Sequence, residues 1–309
     1  MKLPSFLPAL LPTLFPPTVS TPASTPSSCN GSPSLCSRSY SSVTYLGAHD
    51  SAFIGPLPAQ NQILSVGDQL NAGARFLTSQ THWWNNALRM CHTSCLLEDG
   101  GAVADYLKAV RSWVDANPRE VVSVLLTNGD RVDVGKFADV IKSVGLDGYL
   151  FVPKSSPRPL AKGDWPSLGE MIDTKKRVVL YLDYGADESK VPFILDEFNN
   201  FFETPFDSTD ASFSTCPMDR ANKAQGDGKQ SMYIVNHFLD KQVVNVGNLN
   251  VLVPDRQNAP KTNAAAGAGS VGGQADVCNR QWGNKPTVML VDFVGVGDPA
   301  AAVRAMNGV

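Results

Sequence analysis

Histidine is scarce in this chain, with four among 309 residues. An excess of one charge is also missing: 26 Lys and Arg stand against 29 Asp and Glu, and no basic cluster occurs. A surface that tracks nucleic-acid phosphates is therefore not expected. After the first residues no segment reaches about 18 consecutive apolar residues, so none reads as a membrane-spanning helix. The C-terminal "AAVRAMNGV" lacks the hydrophobic tail of a lipid-anchor signal. No Gly-rich dinucleotide fingerprint follows the first strand-like run. The cysteines and histidines do not combine at zinc-site spacings.

What is present begins with an unusual leader. Residues 1–28 include "MKLPSFLPALLPTLFPPTVSTPAS", with an early lysine, a Leu/Phe run and then small residues. That order suits a signal peptide. Its prolines would break a helical apolar region, so a disordered Pro/Ser/Thr-rich leader is the alternative. The remainder, 29–309, is read as one domain. Six cysteines follow: Cys29, Cys36, Cys91, Cys95, Cys216 and Cys278. Nearness along the chain suggests the pairs 29–36, 91–95 and 216–278, but sequence alone leaves other pairings open. Asn30-Gly31-Ser32 is a glycosylation sequon. Together these features point to a secreted, extracellular protein with structural disulfides.

Strand-like runs occur at 43–48, 75–81, 88–92, 121–127, 148–152, 177–184, 231–238 and 287–293. Several are almost continuously apolar, as in strands buried on both faces of a parallel sheet. Between them, "GAVADYLKAVRSWVDANP" places Val103, Leu107, Val110 and Val114 at helical steps and stops at Asn117-Pro118. "DVGKFADVIKSVG" repeats the pattern, with Gly145 as a C-terminal cap. "PFILDEFNNFFE" (192–203) reads as a third helix. "NAAAGAGSVGG" reads either as a flexible loop or as a glycine-weakened helix. Eight strand candidates with intervening helices imply an α/β fold of the TIM-type (β/α)8 barrel class. A doubly wound open sheet is the runner-up.

Active sites of such barrels lie at the C-terminal strand ends. The first run ends in His49-Asp50, and the second in Thr78, Gln80 and His82, two residues apart and so on one face. The third ends in His92, the fourth in Thr127-Asn128, the sixth in Asp183, the seventh in Asn236-His237 and the eighth in Asp292. Any one histidine at a strand end has a structural reading, as a hydrogen-bonded core residue. All four at one expected rim point to chemistry. Imidazole moves protons near neutral pH, so two facing one bound group make a base and acid pair. Asp292 has two readings: a carboxylate orienting His49, or a cap on a loop.

"LGAHDSAF", "LNAGARFLTSQTH", "MCHTSC", "NPREVVSVLLTN" and "VMLVDF" occur in that order. With these motifs the chain, over roughly 40–295, resembles the X domain of phosphatidylinositol-specific phospholipase C in the PLC-like phosphodiesterase superfamily. The likeness is to its secreted, cysteine-containing fungal branch. The resemblance implies a TIM-type barrel that hydrolyses a phosphodiester, with a cyclic inositol phosphate as first product. It implies His49 as general base, His92 as general acid, Asp50 beside the base and Asp292 pairing with it. The substrate implied is a phosphoinositide, a glycosylphosphatidylinositol or a related lipid, with peripheral contact to a membrane.

The sequence departs from the family pattern at the second strand. Bacterial members carry Asp-x-Arg there, and calcium-dependent members carry metal-binding carboxylates. This chain has Thr78 and Gln80. A transferring phosphoryl group normally needs a cation. Arg75 and Arg89 face away on a regular strand, whereas Arg131 could reach over the rim. Substrate contacts are expected from Thr78, Gln80, His82, Thr127, Asp183 and His237. No cofactor is expected, and calcium stays open through Asp50 and Asp183. The missing arginine motivates an alternative, a weakly active or inactive barrel that binds a phosphorylated or glycosylated ligand. A glycosidase using two of Asp50, Asp183 and Asp292 is a third reading. Trp83 and Trp84 belong either to the rim or to the core.

Overall fold

The computed structural model describes residues 27–154, 159–222, 228–246 and 249–309. Of the 1–28 leader, all but the last two residues lie outside this description. In chain order the strands are β1 (Tyr45–Ala48), β2 (Ala74–Trp84), β3 (Ala87–Cys91), β4 (Asp99–Ala102), β5 (Val122–Thr127), β6 (Val178–Leu182), β7 (Ile194–Asp196), β8 (Phe201–Glu203), β9 (Met232–Asn236), β10 (Asp240–Val246), β11 (Leu249–Pro254) and β12 (Val288–Val291). The helices are α1 (Val66–Asn71), α2 (Val103–Ala116), α3 (Val134–Ser143), α4 (Leu168–Asp173), α5 (Glu197–Asn200), α6 (Ala259–Thr262), α7 (Val271–Trp282) and α8 (Pro299–Asn307).

Eight strands pair in parallel in the order β7-β6-β5-β2-β1-β12-β9-β8. The result is an α/β fold of the TIM-barrel type, as the spacing of apolar runs predicts. Among the described residues no pairing joins β7 to β8, and the one-turn helix α5 links them instead.

Side-chain alternation divides the core into an outer and an inner layer, because successive residues of a strand point to opposite faces. In β6, Val178, Leu180 and Leu182 join the outer core under the helices, while Val179 and Tyr181 join the inner core. In β12, Met289 and Val291 face out and Val288 and Leu290 face in. Tyr45, Phe76, Leu125, Phe201, Met232 and Ile234 complete the inner filling. Gly47 occupies an inward position of β1. A Cβ there would stand 2.7 Å from Leu290 Cδ1 and 2.8 Å from Val288 Cγ1, so the barrel needs a residue without a side chain.

Three sequence expectations change. The 88–92 run is not a barrel strand: β3 pairs antiparallel with the overhanging end of β2 through a hairpin. Asn85 and Asn86 turn that hairpin at φ 50 and 61, the left-handed pair that a tight hairpin requires. The 148–152 run is a short 3-10 turn at Asp147–Tyr149, with a single bridge from Leu150 to Val178. The expected helix at 192–203 is β7, α5 and β8, because Asp196 caps a helix of one turn and two three-residue strands, Ile-Leu-Asp and Phe-Phe-Glu, pair at the ends.

Helices α2 and α3 form where the periodicity predicts, and Gly145 ends α3 at φ 68, its N–H bonded to Lys142 O. The glycine-rich segment enters a true helix, α7. Cβ atoms at Gly272 and Gly273 would fall 2.2 Å from Ala265 O and 2.3 Å from Gly267 O. These glycines let the preceding loop lie against the helix. The disulfides are Cys29–Cys36, Cys91–Cys95 and Cys216–Cys278, the pairs of nearest neighbours along the chain. No helix among the described residues is long and apolar enough to cross a membrane.

Candidate active site

Where the inward lines of β1, β2, β5, β6, β8, β9 and β12 reach their C-terminal ends, apolar residues give way to polar ones. They surround a cavity of about 690 Å3. His49, Asp50, Thr78, Gln80, His82, His92, Thr127 and Asp183, all expected from sequence, line it.

Asp50 holds the centre. Its backbone turns left-handed at φ 44, and its N–H donates to Thr78 Oγ1 at 3.1 Å. Its Oδ2 lies 3.6 Å from His49 Nε2 and 3.4 Å from His92 Nε2. Gln80 Nε2 donates to the same carboxylate at 2.8 Å, and Gln80 Oε1 accepts from Thr93 N at 2.9 Å. The amide of Gln80 therefore ties Asp50 to the residue after His92, and its polar atoms are engaged by protein.

Asp292 stands behind His49. Its Oδ1 is 2.9 Å from His49 Nδ1 and accepts from Asn61 Nδ2 at 3.1 Å. Phe238 stacks flat on the His49 ring, with centroids 3.8 Å apart and planes 2° from parallel. Phe53 stacks on His92 at 4.9 Å. Burial opposes protonation of His49, but the charges of Asp50 and Asp292, the hydrogen bond to Asp292 and the charge of Asp240 outweigh it. The His49 pKa is pushed up to about 9. Burial pushes Asp240 up to about 7, with the neighbouring Asp292 acting in the same direction. Burial likewise raises Asp183 to about 6.

Other expected residues are placed differently. His237 is fully buried outside the cavity, between Gln274 and the Thr262 carbonyl, which its Nε2 meets at 2.8 Å. Strand parity is the reason: Met232, Ile234 and Asn236 face the barrel interior, so the next residue faces out. His82 sits at the mouth and pairs with Asp130 at 3.0 Å. Arg75 is held by Glu120 and Arg89 by Asp99, both away from the cavity. Arg131 covers the Tyr184 ring in an adjoining opening.

The cavity's arginine is Arg220, on the excursion after β8, ion-paired with Glu203. Among the described residues, no group of three or more His, Cys, Asp and Glu is arranged to hold a metal ion.

The model of the family described as PI-PLC X 1 matches residues 35–307. The chain belongs to the PI-PLC X family. It is 48% identical over 282 residues to the PI-PLC X domain-containing protein 1 of Arthroderma benhamiae, covering 91% of this chain and 89% of that protein. It is 40% identical over 277 residues to an uncharacterized secreted protein of the same organism, covering 89% of this chain and 62% of the relative. Among solved structures, the phosphatidylinositol-specific phospholipase C of Listeria monocytogenes superposes with a TM-score of 0.54 at 14% identity, over 89% of this chain and 95% of that one. A mutant of the Staphylococcus aureus enzyme of the same name gives 0.55 at 15%, over 88% and 94%. At these identities the solved structures speak for the fold.

This PI-PLC X chain also places residues in the cavity that the sequence reading overlooks: Asn61, Glu197, Glu203, Arg220 and Phe238. Glu203 ends an inward line, so parity would find it once β8 is recognised as a strand. Arg220 has no such signal. A single bridge to Glu203 brings it in.

The rim is apolar. Trp83 and Trp84 are exposed at the tip of the β2–β3 hairpin, Leu96 and Leu97 beyond the Cys91–Cys95 disulfide, and Val243 and Val244 on β10. Leu57 and Phe206 are exposed on the stretches after β1 and β8. Trp83 and Trp84 end β2 itself, and the other exposed large apolar residues described, Val309 at the chain end apart, lie on segments between barrel strands.

Proposed function

We propose that this chain is a secreted phosphoric diester hydrolase of the phospholipase C type, acting on a phosphoinositide, a glycosylphosphatidylinositol or a related lipid. One observation carries the reading: two imidazoles, on separate segments, direct Nε2 toward one carboxylate in the cavity. His49, in its neutral form, takes the proton of the headgroup hydroxyl beside the phosphate. That oxygen forms a bond to phosphorus. The bond from phosphorus to the glycerol oxygen breaks, and His92 gives that oxygen its proton. The products are a cyclic phosphodiester and a diacylglycerol. Asp292 holds the His49 ring and supports its charge once protonated. Gln80 positions Asp50 and the His92 loop.

Export is supported by three disulfides and by the relative named as secreted. The apolar rim fits a lipid surface, with the aromatic and leucine side chains entering it as the headgroup enters the cavity. No step in this reading uses a metal. The test is phosphorus NMR of phosphatidylinositol vesicles incubated with the protein. A cyclic phosphodiester signal that appears before any monoester, and is absent with His49→Ala, supports the proposal. A monoester formed directly, with no cyclic species, opposes it.

A further inference from the structure

Three consecutive amides, Gln60, Asn61 and Gln62, lie on the stretch between β1 and α1, and each side chain has its own partners. Gln62 is fully buried and stitches two strand ends together. Its Nε2 donates to His49 O at 2.8 Å and to Val291 O at 3.2 Å, and its Oε1 accepts from Val294 N at 3.0 Å. Gln60 Nε2 donates to Glu98 Oε1 at 2.6 Å. Asn61, between them, is anchored by its backbone, whose carbonyl accepts from Phe293 N at 2.8 Å.

The Asn61 side chain stitches no backbone. Its Nδ2 donates to Asp292 Oδ1 at 3.1 Å and lies 3.3 Å from His49 Nδ1, which is itself 2.9 Å from the same oxygen. An amide N–H only donates and a carboxylate only accepts, so two donors share one oxygen. Neutral His49 then carries its proton on Nδ1 and presents the Nε2 lone pair. The reverse amide orientation would set Asn61 Oδ1 against the carboxylate. That Oδ1 is buried in a residue only 2% exposed, so it is not offered to a ligand.

Burial raises the Asp292 pKa, and the charge and hydrogen bond of His49 and the Asn61 amide act against it. The amide stabilises a bare carboxylate more than one already neutralised by an imidazolium. It therefore favours the state in which His49 has given up its charge. Asn61 is uncharged itself. The charged groups that face His49 are Asp50 after β1, Asp292 after β12, Asp240 on β10 and Asp207 after β8.

We propose that Asn61 is a positioning residue for the base: its Nδ2 shares Asp292 Oδ1 with His49, fixes the carboxylate behind the ring and eases release of the imidazole proton. The proposal rests on the phosphodiesterase reading for what the base does.

The experiment is a pH titration of the four histidines by proton–nitrogen NMR in the full chain. Wild type and Asn61→Leu are compared, His49→Asn assigns the signal, and pH–rate profiles on phosphatidylinositol run in parallel. Above about pH 9, wild-type His49 is expected as the Nδ1–H tautomer. Asn61→Leu should move the His49 titration up by about one pH unit, the opposite direction to Asp292→Asn. It should lower kcat about tenfold with KM unchanged. Asn61→Ser, smaller and too short to reach Asp292, is the second variant, and thermal unfolding shows whether each folds. A purely structural amide would lower stability and leave the titration of the folded variant in place. An Nε2–H tautomer in wild type, an unmoved or lowered His49 titration in a folded variant, a change in KM alone, or failure of both variants to fold overturns the proposal. Turnover with no shift leaves the hydrolase reading standing and removes the role of Asn61. The shift without turnover does the reverse.

Discussion

One oxygen of Asp50 lies 3.6 Å from His49 Nε2 and 3.4 Å from His92 Nε2, so a single carboxylate stands between the two imidazoles of the cavity. Three other groups keep it there: the Thr78 hydroxyl, the Gln80 amide and the Gln80 backbone N–H. Asp50→Asn should lower kcat by about 10²-fold, since it alters at once the surroundings of both imidazoles proposed to transfer protons. Steady-state turnover with a circular-dichroism control checks this.

The carboxylates around His49 set a pH dependence. With a pKa of about 9 in the free protein, His49 is protonated at neutral pH and must lose that proton to act as base. The account predicts kcat/KM rising with pH toward about 9. Asp292→Asn removes one stabilising charge, so the rise should move to lower pH while the plateau falls by about 10²-fold or more. A pH–rate profile of both forms checks the direction. The same raised pKa contributes to folding stability. Above its ordinary value of about 6.5, the folded state holds the proton more tightly than the unfolded chain. That contribution is complete below about pH 6.5 and is lost as pH rises through about 9. Denaturant unfolding of wild type and His49→Asn should converge at the alkaline end.

The disulfides divide by the length of chain they close. Cys216–Cys278 spans 62 positions and Cys91–Cys95 spans four. Chain-entropy arguments give about 4 kcal/mol for the first and about 2 kcal/mol for the second. Removing Cys91–Cys95 should cost kcat more than stability, because His92 lies inside that loop. Urea unfolding and turnover of the two double serine variants should rank in opposite orders.

The rim residues should act on lipid and not on chemistry. Leu96→Asp combined with Leu97→Asp should weaken sedimentation with phosphatidylcholine vesicles by about tenfold or more, since each exposed leucine that enters lipid is worth on the order of 1.5–3 kcal/mol. Turnover on a soluble inositol phosphodiester should be unchanged. Equal loss on both substrates would place these leucines in the catalytic machinery.

Much of the site is legible in the sequence because a barrel strand alternates in and out and ends at the rim. His49, Gln80, Asp183 and Asp292 follow from that rule, with Asp292 behind His49, while Asp50 breaks the alternation and reaches the cavity through its left-handed turn. His92 is legible for a different reason than the strand count suggests, since it is carried by a hairpin arm and not by a barrel strand. The Asn85-Asn86 turn was the local signal for that hairpin. Residues 192–203 mislead because the apolar pairs Ile194-Leu195 and Phe201-Phe202 on either side of a one-turn helix imitate helical spacing. His237 misleads by one residue of parity. Arg220 could not be found from pattern at all: it lies outside every strand and helix, and tertiary contacts deliver it to Glu203.

The division of labour between His49 and His92 is the central claim, and leaving-group dependence tests it most directly. Turnover of His49→Ala and His92→Ala would be compared on two inositol phosphodiesters, one with an alkyl and one with a nitrophenyl leaving group. A nitrophenolate departs without a proton, so the loss of the general acid should matter little for it. The account predicts that His92→Ala recovers most of its activity on the nitrophenyl substrate while His49→Ala stays inactive on both. Recovery by His49→Ala, or an equal deficit of His92→Ala on both substrates, would contradict it.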